Sequence, residues 1–428
     1  MQRVTASIIT IGDELLIGQV IDTNSAWIGQ ALNKIGVWVH RRVAVGDLWE
    51  DIWSSLKEET LKSDVVIITG GLGPTADDIT KPLLTKFFGG QLITHPLALE
   101  NVKNIFARYN RPMLEANLKQ AEVPDNCQVM LNSRGTAPGM QFEKEGKLFF
   151  SMPGVPYEMQ GMMEQQVIPV IQQKFKLSQV LHRTLTTMGL GESFLAQRLS
   201  EFELELPQNI KLAYLPGQTL VRLRLTQQVS PTNADTFPQI ESLFQQLKAL
   251  VMDILVTSED QSVPEAVSQL LLQYGKQVAT AESCTGGYLA QELTAIPGAS
   301  AYFHGGIVSY DNAVKESILQ VPQSILEAHG AVSEPVVTHM AQQALQLMKA
   351  DYALAVSGIL GPTGGTPEKP IGTVWIAACS ATNVRTRLFH FRYDRIRNRE
   401  ATASNAFNLL RQLIVEENSN GGFSDLQT

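Results

Sequence analysis

The stretch of the chain best suited to catalysis is an apolar segment that ends abruptly in small and polar residues. Residues 278–281 lead into Glu282-Ser283-Cys284-Thr285-Gly286-Gly287, and the following residues have helical spacing. Ser283 is therefore expected near a helix N-terminus, where backbone N–H groups attract developing negative charge. The arrangement suits a nucleophile with an oxyanion hole, although Ser283 or Thr285 could equally be a helix cap.

Lys315 is the residue that could activate this serine. It follows a strand-like segment at 305–310, close to Asp311 at an expected helix start. A lysine that loses water contacts beside a serine can give up its proton and act as a general base. The alternative is an ordinary surface lysine, which is where most lysines lie.

Two further features suggest a pocket for an anion around this pair. A loop rich in glycine and proline at 357–373 connects two apolar segments, and its composition suits either a pocket wall or an ordinary surface loop. The last helix is expected to run through Val415. Arg392, Arg395, Arg397 and Arg399 stand near its start, where positive charges oppose the helix dipole. We interpret them as the binding site of an anionic ligand.

A second glycine-rich loop, at 69–80, predicts a different site near the N-terminus. Gly70, Gly71 and Gly73 allow a phosphate-binding nest of N–H groups, and Thr75 and Thr80 add hydroxyls. Carboxylates beside a phosphate need a bridging cation such as Mg²⁺, which indicates a metal site. Its expected ligands are Glu14, Asp77 and Asp78, with Asp22 and Asn24 able to complete it. The alternative is a glycine turn followed by an Asp-capped helix.

Arg134 adds a possible phosphate or carboxylate ligand to this N-terminal region. Its guanidinium has the planar fork that suits either anion. The loop at 132–140 that contains it, and a Pro- and Gly-rich loop at 152–159, bracket short strand-like segments. Each loop could also be only a turn.

The elements that must position these residues fall into three regions. Residues 4–171 alternate strand-like runs, such as 65–69, with helical stretches, such as 158–171. This alternation predicts an α/β domain with a largely parallel sheet and ligands at the carboxyl ends of its strands. Residues 176–252 read as a compact α+β module, and the α/β pattern then resumes. We predict domains at 1–172, 173–256 and 257–416, with a polar tail at 417–428.

Composition narrows the class of protein. The chain has 428 residues, 44% of them hydrophobic, and a formal charge of −8, which disfavours a general role in binding nucleic acid. No apolar run is long enough for a membrane span and no signal peptide is evident, so a cytoplasmic location is expected. Cys127, Cys284 and Cys379 are far apart and are expected to be reduced thiols.

Five motifs together resemble the CinA family, named for competence and damage induction. They are GGLGPTADDIT at 70–80, GTAPGM at 135–140, PGVPYEM at 153–159, AESCTGG at 281–287 and SGILGPTGGTPEK at 357–369. The resemblance implies an N-terminal molybdopterin-binding-like α/β domain that acts as an ADP-ribose pyrophosphatase with a divalent metal (Mg, Mn or Co). It also implies a small α+β KH-like middle module, a C-terminal α/β nicotinamide mononucleotide amidohydrolase domain without a cofactor, and a homodimer.

The resemblance also assigns roles to particular residues. It implies Ser283 as nucleophile, Lys315 as its base, Tyr310 as a polar partner and Arg397 as the ligand of the nucleotide phosphate. The expected substrate-binding residues are Thr285, Gly286, Gly287, Ser357, Gly358, Gly361, Thr363, Gly364 and Arg397 in the C-terminal domain, and Gly70, Gly71, Gly73, Thr75, Thr80 and Arg134 in the N-terminal domain. Tyr393 and Leu360 depart from the family's usual glycine and alanine.

Three alternatives stay open at this stage. Cys284 is intrinsically a better nucleophile than Ser283, and only the resemblance favours the serine. The protein could be a nucleotide- or molybdopterin-binding scaffold without turnover, linked to competence. It could also be active in the C-terminal domain alone. Small-molecule nucleotides are the expected ligands. A nucleic-acid partner is not expected, since the net charge is negative and the middle module has no GxxG sequence. A membrane partner is not expected either.

Overall fold

The computed structural model of the protein describes residues 3–75, 78–110, 112–177, 179–229 and 237–419. The chain divides into two units, Met1–Leu181 with Gln227–Pro238, and His182–Thr226 with Gln239–Thr428. Each unit contains its own clusters of buried hydrophobic residues. No helix in the described ranges is both long and apolar enough to cross a membrane.

The first unit alternates strands and helices. Its strands are β1 (Thr5–Ile11), β2 (Trp38–Val45), β3 (Val65–Thr69), β4 (Leu92–Thr94), β5 (Glu122–Pro124), β6 (Gln128–Met130), β7 (Gly139–Lys144) and β8 (Lys147–Met152). Its helices are α1 (Asp13–Leu16), α2 (Thr23–Lys34), α3 (Trp49–Lys62), α4 (Thr80–Phe88), α5 (Pro96–Arg108), α6 (Glu115–Lys119), α7 (Pro156–Met162) and α8 (Ile168–Lys174). A π-helical turn at Met163–Val167 joins α7 to α8.

The main sheet of this unit has the order β2-β1-β3-β8-β7-β6. Strands β2, β1, β3 and β8 run parallel to one another. Strand β7 pairs antiparallel with β8, and β6 pairs antiparallel with β7. Ile8 and Ile67 belong to one buried cluster and Ile9 and Ile68 to another, so apolar residues cover both faces. Burial on both faces explains why these strands read as continuous apolar runs.

A small mixed module lies mostly in the second unit. Its elements are β9 (Gln179–Met188), α9 (Glu192–Arg198), α10 (Ser200–Leu204), β10 (Ile210–Pro216), β11 (Leu220–Val229), α11 (Phe237–Leu250) and β12 (Leu255–Thr257). The strands form a sheet of order β10-β11-β9-β12, in which β12 is antiparallel to β9.

The C-terminal part of this unit is an α/β domain. Its helices are α12 (Val263–Gln273), α13 (Tyr288–Thr294), α14 (Asn312–Ser317), α15 (Gln323–His329), α16 (Glu334–Met348) and α17 (Arg395–Ser419). Its strands are β13 (Val278–Glu282), β14 (Phe303–Val308), β15 (Tyr352–Gly358), β16 (Thr373–Cys379) and β17 (Val384–His390). The sheet order is β14-β13-β15-β16-β17, with β14, β13 and β15 parallel.

Small residues on the central strands let helices pack closely on this sheet. Ala279 and Ala281 of β13 lie in a buried cluster with Val336 and Met340 of α16. Val278 faces the other side, in a cluster that includes residues of α12, α13 and α17. The central strand β13 is therefore covered on both faces, and its carboxyl end delivers Glu282 and Ser283 to the edge of the sheet.

The predicted fold class is confirmed, with an α/β domain, an α+β module and a second α/β domain. Two helices differ from the prediction. The helix expected at 158–171 is interrupted by the π-helical turn because Pro169 has no N–H group to continue the regular bonding. The last helix was expected to end at Val415 but extends to Ser419, and residues 420–428 of the predicted tail lie outside the described residues.

Candidate active site

The turn between β13 and α13 places Ser283 at the carboxyl end of a central strand. The N–H of Ser283 donates to the carbonyl of Val356 at 3.0 Å. Gly286 and Gly287 then take φ angles of 64° and 97°, which glycine adopts at little cost. Ligands of open α/β sheets bind at this edge, so the position of Ser283 is compatible with a catalytic role.

Glu282 holds this turn together through a buried carboxylate. The side chain is 1% exposed and accepts hydrogen bonds from Thr285 Oγ1 at 2.8 Å, Gly287 N at 3.0 Å, Leu289 N at 2.9 Å and Ala290 N at 2.9 Å. A buried carboxylate is costly unless it is bonded in this way. Glu282 thus takes up N–H groups at the start of α13 that were expected to face the substrate.

The backbone donors that can meet an oxyanion are therefore fewer than the sequence suggested. Gly286 N donates to Ser283 O at 3.2 Å, and Tyr288 N donates to Thr285 O at 3.3 Å. The N–H groups of Cys284 and Thr285 are not among the donors to Glu282. Since these two groups directly follow Ser283, they are the nearest backbone candidates for an oxyanion hole.

Lys315 is buried at the neighbouring strand end. In the parallel pairing of β13 with β14, Glu282 lies opposite Val308, so Ser283 and Ser309 follow at the same edge. Lys315 is 1% exposed, and its Nζ donates to the carbonyls of Ser309 at 2.7 Å and Tyr310 at 3.3 Å. Burial lowers the pKa of Lys315, opposed by the nearby Asp311 and Cys284. The predicted surface alternative for this lysine is therefore wrong.

Cys284 lies in the hydrophobic core beside Leu289 and Val356. Burial raises the pKa of its thiol to about 12, an effect that Glu282 reinforces and that Lys315 and Arg395 oppose. A thiol with such a pKa is almost entirely protonated near neutral pH, and the thiolate is the nucleophilic form. These surroundings favour Ser283 over Cys284.

Arg395 connects Tyr310 to the glycine- and proline-rich loop at 357–373. Its Nη2 donates to the Tyr310 hydroxyl at 3.0 Å, and its Nη1 donates to the carbonyl of Gly361 at 2.7 Å. Tyr310 itself is 61% exposed. Arg395 thus presents a cation at the rim formed by the residues after β14 and after β15.

Arg397, the arginine that the resemblance singles out, lies differently. It is exposed, its Nε is 3.6 Å from Asp394 Oδ2, and its carbonyl accepts a bond from Gln218. Arg399 stacks its guanidinium over the ring of Tyr288, 4.6 Å from the ring centroid, and its buried Nε has no hydrogen-bond partner among the described residues. Arg395 and Arg399 therefore contact the elements around Ser283 more directly than Arg397.

The glycine- and proline-rich loop at 357–373 starts tightly packed and becomes exposed. Ser357 is 1% exposed and donates to the carbonyl of Ala331 at 2.7 Å. Gly358 has no room for a side chain, because a Cβ there would lie 2.8 Å from Thr373 O. Thr363 and Gly364 are exposed in the middle of the loop. The loop can therefore meet a ligand through Thr363 and Gly364, whereas Ser357 serves mainly to fix its start.

Asp78 fills the predicted phosphate nest of the first unit. Its carboxylate accepts bonds from Gly73 N at 2.7 Å, Thr75 N at 2.8 Å and the Thr75 hydroxyl. Thr80, which is fully buried, donates to Gly70 O at 3.2 Å. The glycines are needed for close packing, since a Cβ on Gly70 would lie 2.3 Å from Ile11 O and one on Gly71 would lie 2.2 Å from Thr80 Oγ1.

The described carboxylates that were expected to bind a metal ion make other contacts. Asp78 is engaged with the loop, the carboxylate of Glu14 folds back over Gly12, and Asp77 lies outside the described residues. Asp22 caps α2 and accepts a bond from Thr10. Within the described ranges, no group of three His, Cys, Asp or Glu side chains is arranged to hold a metal ion. Glu14 and Asp78, the two expected ligands among the described residues, therefore do not by themselves form a metal site.

Asn24 is a polar side chain of this region whose buried acceptor has no partner among the described residues. Its Nδ2 donates to Gly154 O at 2.7 Å, while its buried Oδ1 has no hydrogen-bond partner among the described residues. Gly154 passes close to Gly70, so Asn24 lies where the loops after β3 and β8 meet. An unpaired buried acceptor at the carboxyl edge of a sheet is a candidate contact for a ligand.

Arg134 packs along α7 instead of standing free. Its guanidinium lies 4.3 Å from the centroid of the Tyr157 ring, and its Nη1 donates to Tyr157 O at 2.7 Å. Gly161 makes room for it, because a Cβ there would lie 2.7 Å from the guanidinium carbon. Neighbouring Glu158 accepts a bond from Asn132, and burial raises the pKa of that carboxyl.

The sequence contained signals for the role of Glu282 and the position of Arg395, which motif reasoning did not identify. Glu282 is a lone acid at the end of a buried apolar strand, and such an acid needs strong donors such as N–H groups at a helix start. Arg395 follows Asp394, whose carboxylate accepts a bond from Arg397 N as a helix cap does. A cap at Asp394 would have placed the helix start, and with it Arg395, correctly.

Comparison with known proteins identifies the family. Models of a probable molybdopterin binding domain, the damage-inducible protein CinA KH domain and the CinA C-terminal domain match residues 7–173, 182–257 and 260–414. A CinA-like protein of Cytophaga hutchinsonii is 40% identical over 417 residues, which cover 97% of this chain and 99% of that protein. A putative competence-damage inducible protein of Caldicellulosiruptor bescii is 38% identical, covering 96% of this chain and 99% of its own length.

A solved structure of a competence-damaged protein (CinA) superfamily protein from Escherichia coli is 36% identical. It covers 35% of this chain and 88% of its own, with a TM-score of 0.35. The full-length relatives extend over nearly the whole of both chains. The protein therefore belongs to the CinA family.

Proposed function

We propose that the C-terminal domain hydrolyses the carboxamide of nicotinamide mononucleotide, releasing ammonia and nicotinic acid mononucleotide. The observation that carries this proposal is Lys315, which is buried at the strand end next to Ser283 and has a lowered pKa. A neutral lysine is the base that a serine nucleophile needs where no histidine is suitably placed. The substrate itself comes from the family resemblance.

The proposed reaction has two halves. Ser283 Oγ attacks the carboxamide carbon while Lys315 Nζ takes the hydroxyl proton, and the N–H groups of Cys284 and Thr285 stabilise the oxyanion. Lys315 then gives the proton to the departing nitrogen, which leaves as ammonia. Water attacks the resulting ester, Lys315 again relays a proton, and the carboxylate product leaves Ser283 free.

Arg395 and Tyr310 are the proposed contacts for the phosphate and ribose end of the substrate. Arg395 retains donors beyond those used for Tyr310 and Gly361, since a guanidinium has five N–H groups. Arg397 stays a candidate from the family pattern, although its pairing with Asp394 makes it the weaker one.

Ammonia release by the purified protein tests this proposal. Ser283→Ala is expected to lower kcat at least 1,000-fold, since removal of a catalytic serine can cost on the order of 10⁶-fold. Cys284→Ala is the matched control and should retain activity. A chelator should not change the ammonia release of the wild type or of Cys284→Ala. Full activity of the Ser283 variant would contradict the assignment, and inactive wild-type protein would favour the non-catalytic scaffold.

A second proposed activity is hydrolysis of ADP-ribose to AMP and ribose 5-phosphate by the N-terminal domain. The unpaired acceptor of Asn24 at the meeting point of two strand-end loops supports a ligand there. The divalent metal is implied by the resemblance alone, so we derive no step through it. Incubation with ADP-ribose, with and without chelator, should give chelator-sensitive AMP; absence of AMP would leave the C-terminal domain as the active one.

A further inference from the structure

The turn between β10 and β11 of the middle module contacts the start of α17. The N–H of Gly217 donates to the carbonyl of Leu220 at 2.8 Å and closes this turn. Gln218, inside the turn, donates its side-chain amide to the carbonyl of Arg397 at 2.6 Å. The carbonyl of Gln218 accepts a bond from the Tyr393 hydroxyl at 3.2 Å. All of these residues lie in the second unit, so the turn is bonded to α17 and to the residues before it at two points.

These two bonds lie on either side of Arg395. Tyr393 comes two residues before Arg395, and Arg397 comes two residues after it. The guanidinium of Arg395 donates to the Tyr310 hydroxyl at 3.0 Å and to the carbonyl of Gly361 at 2.7 Å. The turn therefore restrains the stretch of backbone that carries the proposed phosphate contact of the C-terminal domain.

Asn398 fixes the same stretch from the protein interior. It is fully buried, and its side chain accepts a bond from Tyr393 N at 3.1 Å. The same amide donates to Tyr393 O at 2.9 Å and to Leu360 O at 3.0 Å. A buried amide that is bonded in this way holds the backbone that it contacts. Because the backbone of Tyr393 is fixed, its hydroxyl can connect the position of the turn to the position of α17.

Apolar packing holds the turn against the C-terminal domain. Leu220, two residues after Gln218, packs against a buried cluster that includes Phe407 and Leu410 of α17. Met188 of β9 belongs to the same cluster. Burial of these apolar side chains stabilises the contact between the middle module and α17. The turn is therefore a supported part of the second unit, and its bonds to α17 are not the only contact there.

We propose that Gln218 and Tyr393 are positioning residues, through which the middle module holds Arg395 in place for the phosphate of the substrate. This role rests on the proposed hydrolysis of nicotinamide mononucleotide. A guanidinium that is held in its binding position loses less freedom when the phosphate binds, so the affinity is higher. Neither residue acts at the scissile carboxamide, and their contribution should therefore appear in KM and not in kcat.

Steady-state ammonia release by the full-length protein tests this proposal. Gln218→Ala and Tyr393→Phe each remove one hydrogen bond, so each should raise KM for nicotinamide mononucleotide about three- to tenfold and leave kcat within about twofold. The matched controls are Gln208→Ala, at an exposed position of the same module, and Tyr214→Phe, whose hydroxyl bonds Glu203 instead. Both controls should keep the KM of the wild type.

A double-mutant cycle separates positioning of Arg395 from a general structural role. In the Arg395→Ala background, Gln218→Ala should raise KM by less than about twofold, because the residue through which Gln218 acts is already absent. The same rise in both backgrounds would show that Gln218 acts independently of Arg395 and would overturn the proposal.

Amide hydrogen exchange measures the restraint itself. Exchange at the start of α17 should be faster in Gln218→Ala than in Gln208→Ala, since local opening of the helix start becomes easier. Equal exchange in these two variants would overturn the proposal. Wild-type protein without ammonia release would overturn the proposed function together with this inference. Active wild-type protein with an unchanged KM in both Gln218→Ala and Tyr393→Phe would overturn this inference alone.

Discussion

Lys315 has a lowered pKa because it is buried, and this makes the proposed reaction dependent on pH. The base must be neutral to accept the proton of Ser283, so kcat/KM should rise with pH through the pKa of Lys315 and then level off. That rise should occur below the ordinary lysine value of about 10.4. A pH profile of ammonia release measures it.

The matched variant is Lys315→Arg, which keeps the positive charge but cannot lose its proton. Its activity should fall at least 100-fold at every pH, the typical contribution of a general base. Lys349→Arg, an exposed position in the same domain, should leave the profile unchanged. A flat profile of the wild type across this range would count against Lys315 as the base.

Burial of Lys315 also affects stability, with a sign that follows from proton binding. The unfolded state binds more protons than the folded state between the lowered and the ordinary pKa. The free energy of unfolding should therefore rise with pH in that window. The same group thus makes both activity and stability increase toward alkaline pH.

Arg395 and Arg397 differ in geometry enough to be distinguished by substitution. Arg395→Ala should lower kcat/KM for nicotinamide mononucleotide about 10–100-fold, because a charge-assisted bond contributes about 1.5–3 kcal/mol. Arg397→Ala should change it less than threefold, since its guanidinium is exposed beside Asp394. Steady-state kinetics of the two variants distinguish the two arginines. A larger fall in kcat/KM for Arg397→Ala than for Arg395→Ala would support the role of Arg397 that the resemblance implies.

At the scale of elements, the turn from β13 to α13 depends on Glu282. Glu282→Gln would place an amide NH₂ among backbone N–H donors, so at least one donor loses its acceptor at a cost of about 1–3 kcal/mol. We expect kcat to fall at least tenfold with a smaller change in KM, because the turn positions Ser283 instead of touching substrate. The melting temperature should also fall.

Glu316→Gln is the matched control for this variant. Glu316 is an exposed residue of α14, and its substitution should alter neither kcat nor stability. Kinetics and thermal unfolding of the two variants are measured side by side. Normal kcat in Glu282→Gln would show that the turn keeps its shape without the carboxylate.

The elements that were predicted most accurately from the sequence are those that bury continuous apolar runs. Strand β3 was predicted at 65–69 and lies at Val65–Thr69, because a strand covered on both faces has a distinctive pattern. Short strands such as β4 at Leu92–Thr94 were not predicted, since three exposed residues carry little pattern. The π-helical turn before α8 depends on how Pro169 is accommodated, which periodicity does not encode.

The positions of the loops that form the candidate sites were predictable from the sequence. The hydrogen bonds within these loops were less predictable. Motifs placed Ser283 and the glycine loops at strand ends and Lys315 in a helix that follows a strand, as found. They could not show that Glu282 and Asp78 take up the N–H groups expected to face ligands, because that depends on side-chain rotamers. The roles of the substrate-binding residues stay predictions.

At the scale of the whole molecule, the buried clusters predict how the chain unfolds. Each cluster draws its residues from one unit, for example Phe149 from the first and Phe407 from the second. Multidomain chains of this kind commonly depart from a single cooperative transition. Calorimetry should therefore resolve two unfolding transitions.

Core substitutions in each unit assign the two transitions. Phe149→Ala and Phe407→Ala each remove a fully buried ring, so each should lower the stability of its own unit by about 3–5 kcal/mol. Each variant should shift one transition and leave the other in place. Leu61→Ala and Leu204→Ala, at positions 84% and 87% exposed, are the matched controls and should shift neither. A single transition that both core variants lower together would show that the two units unfold as one.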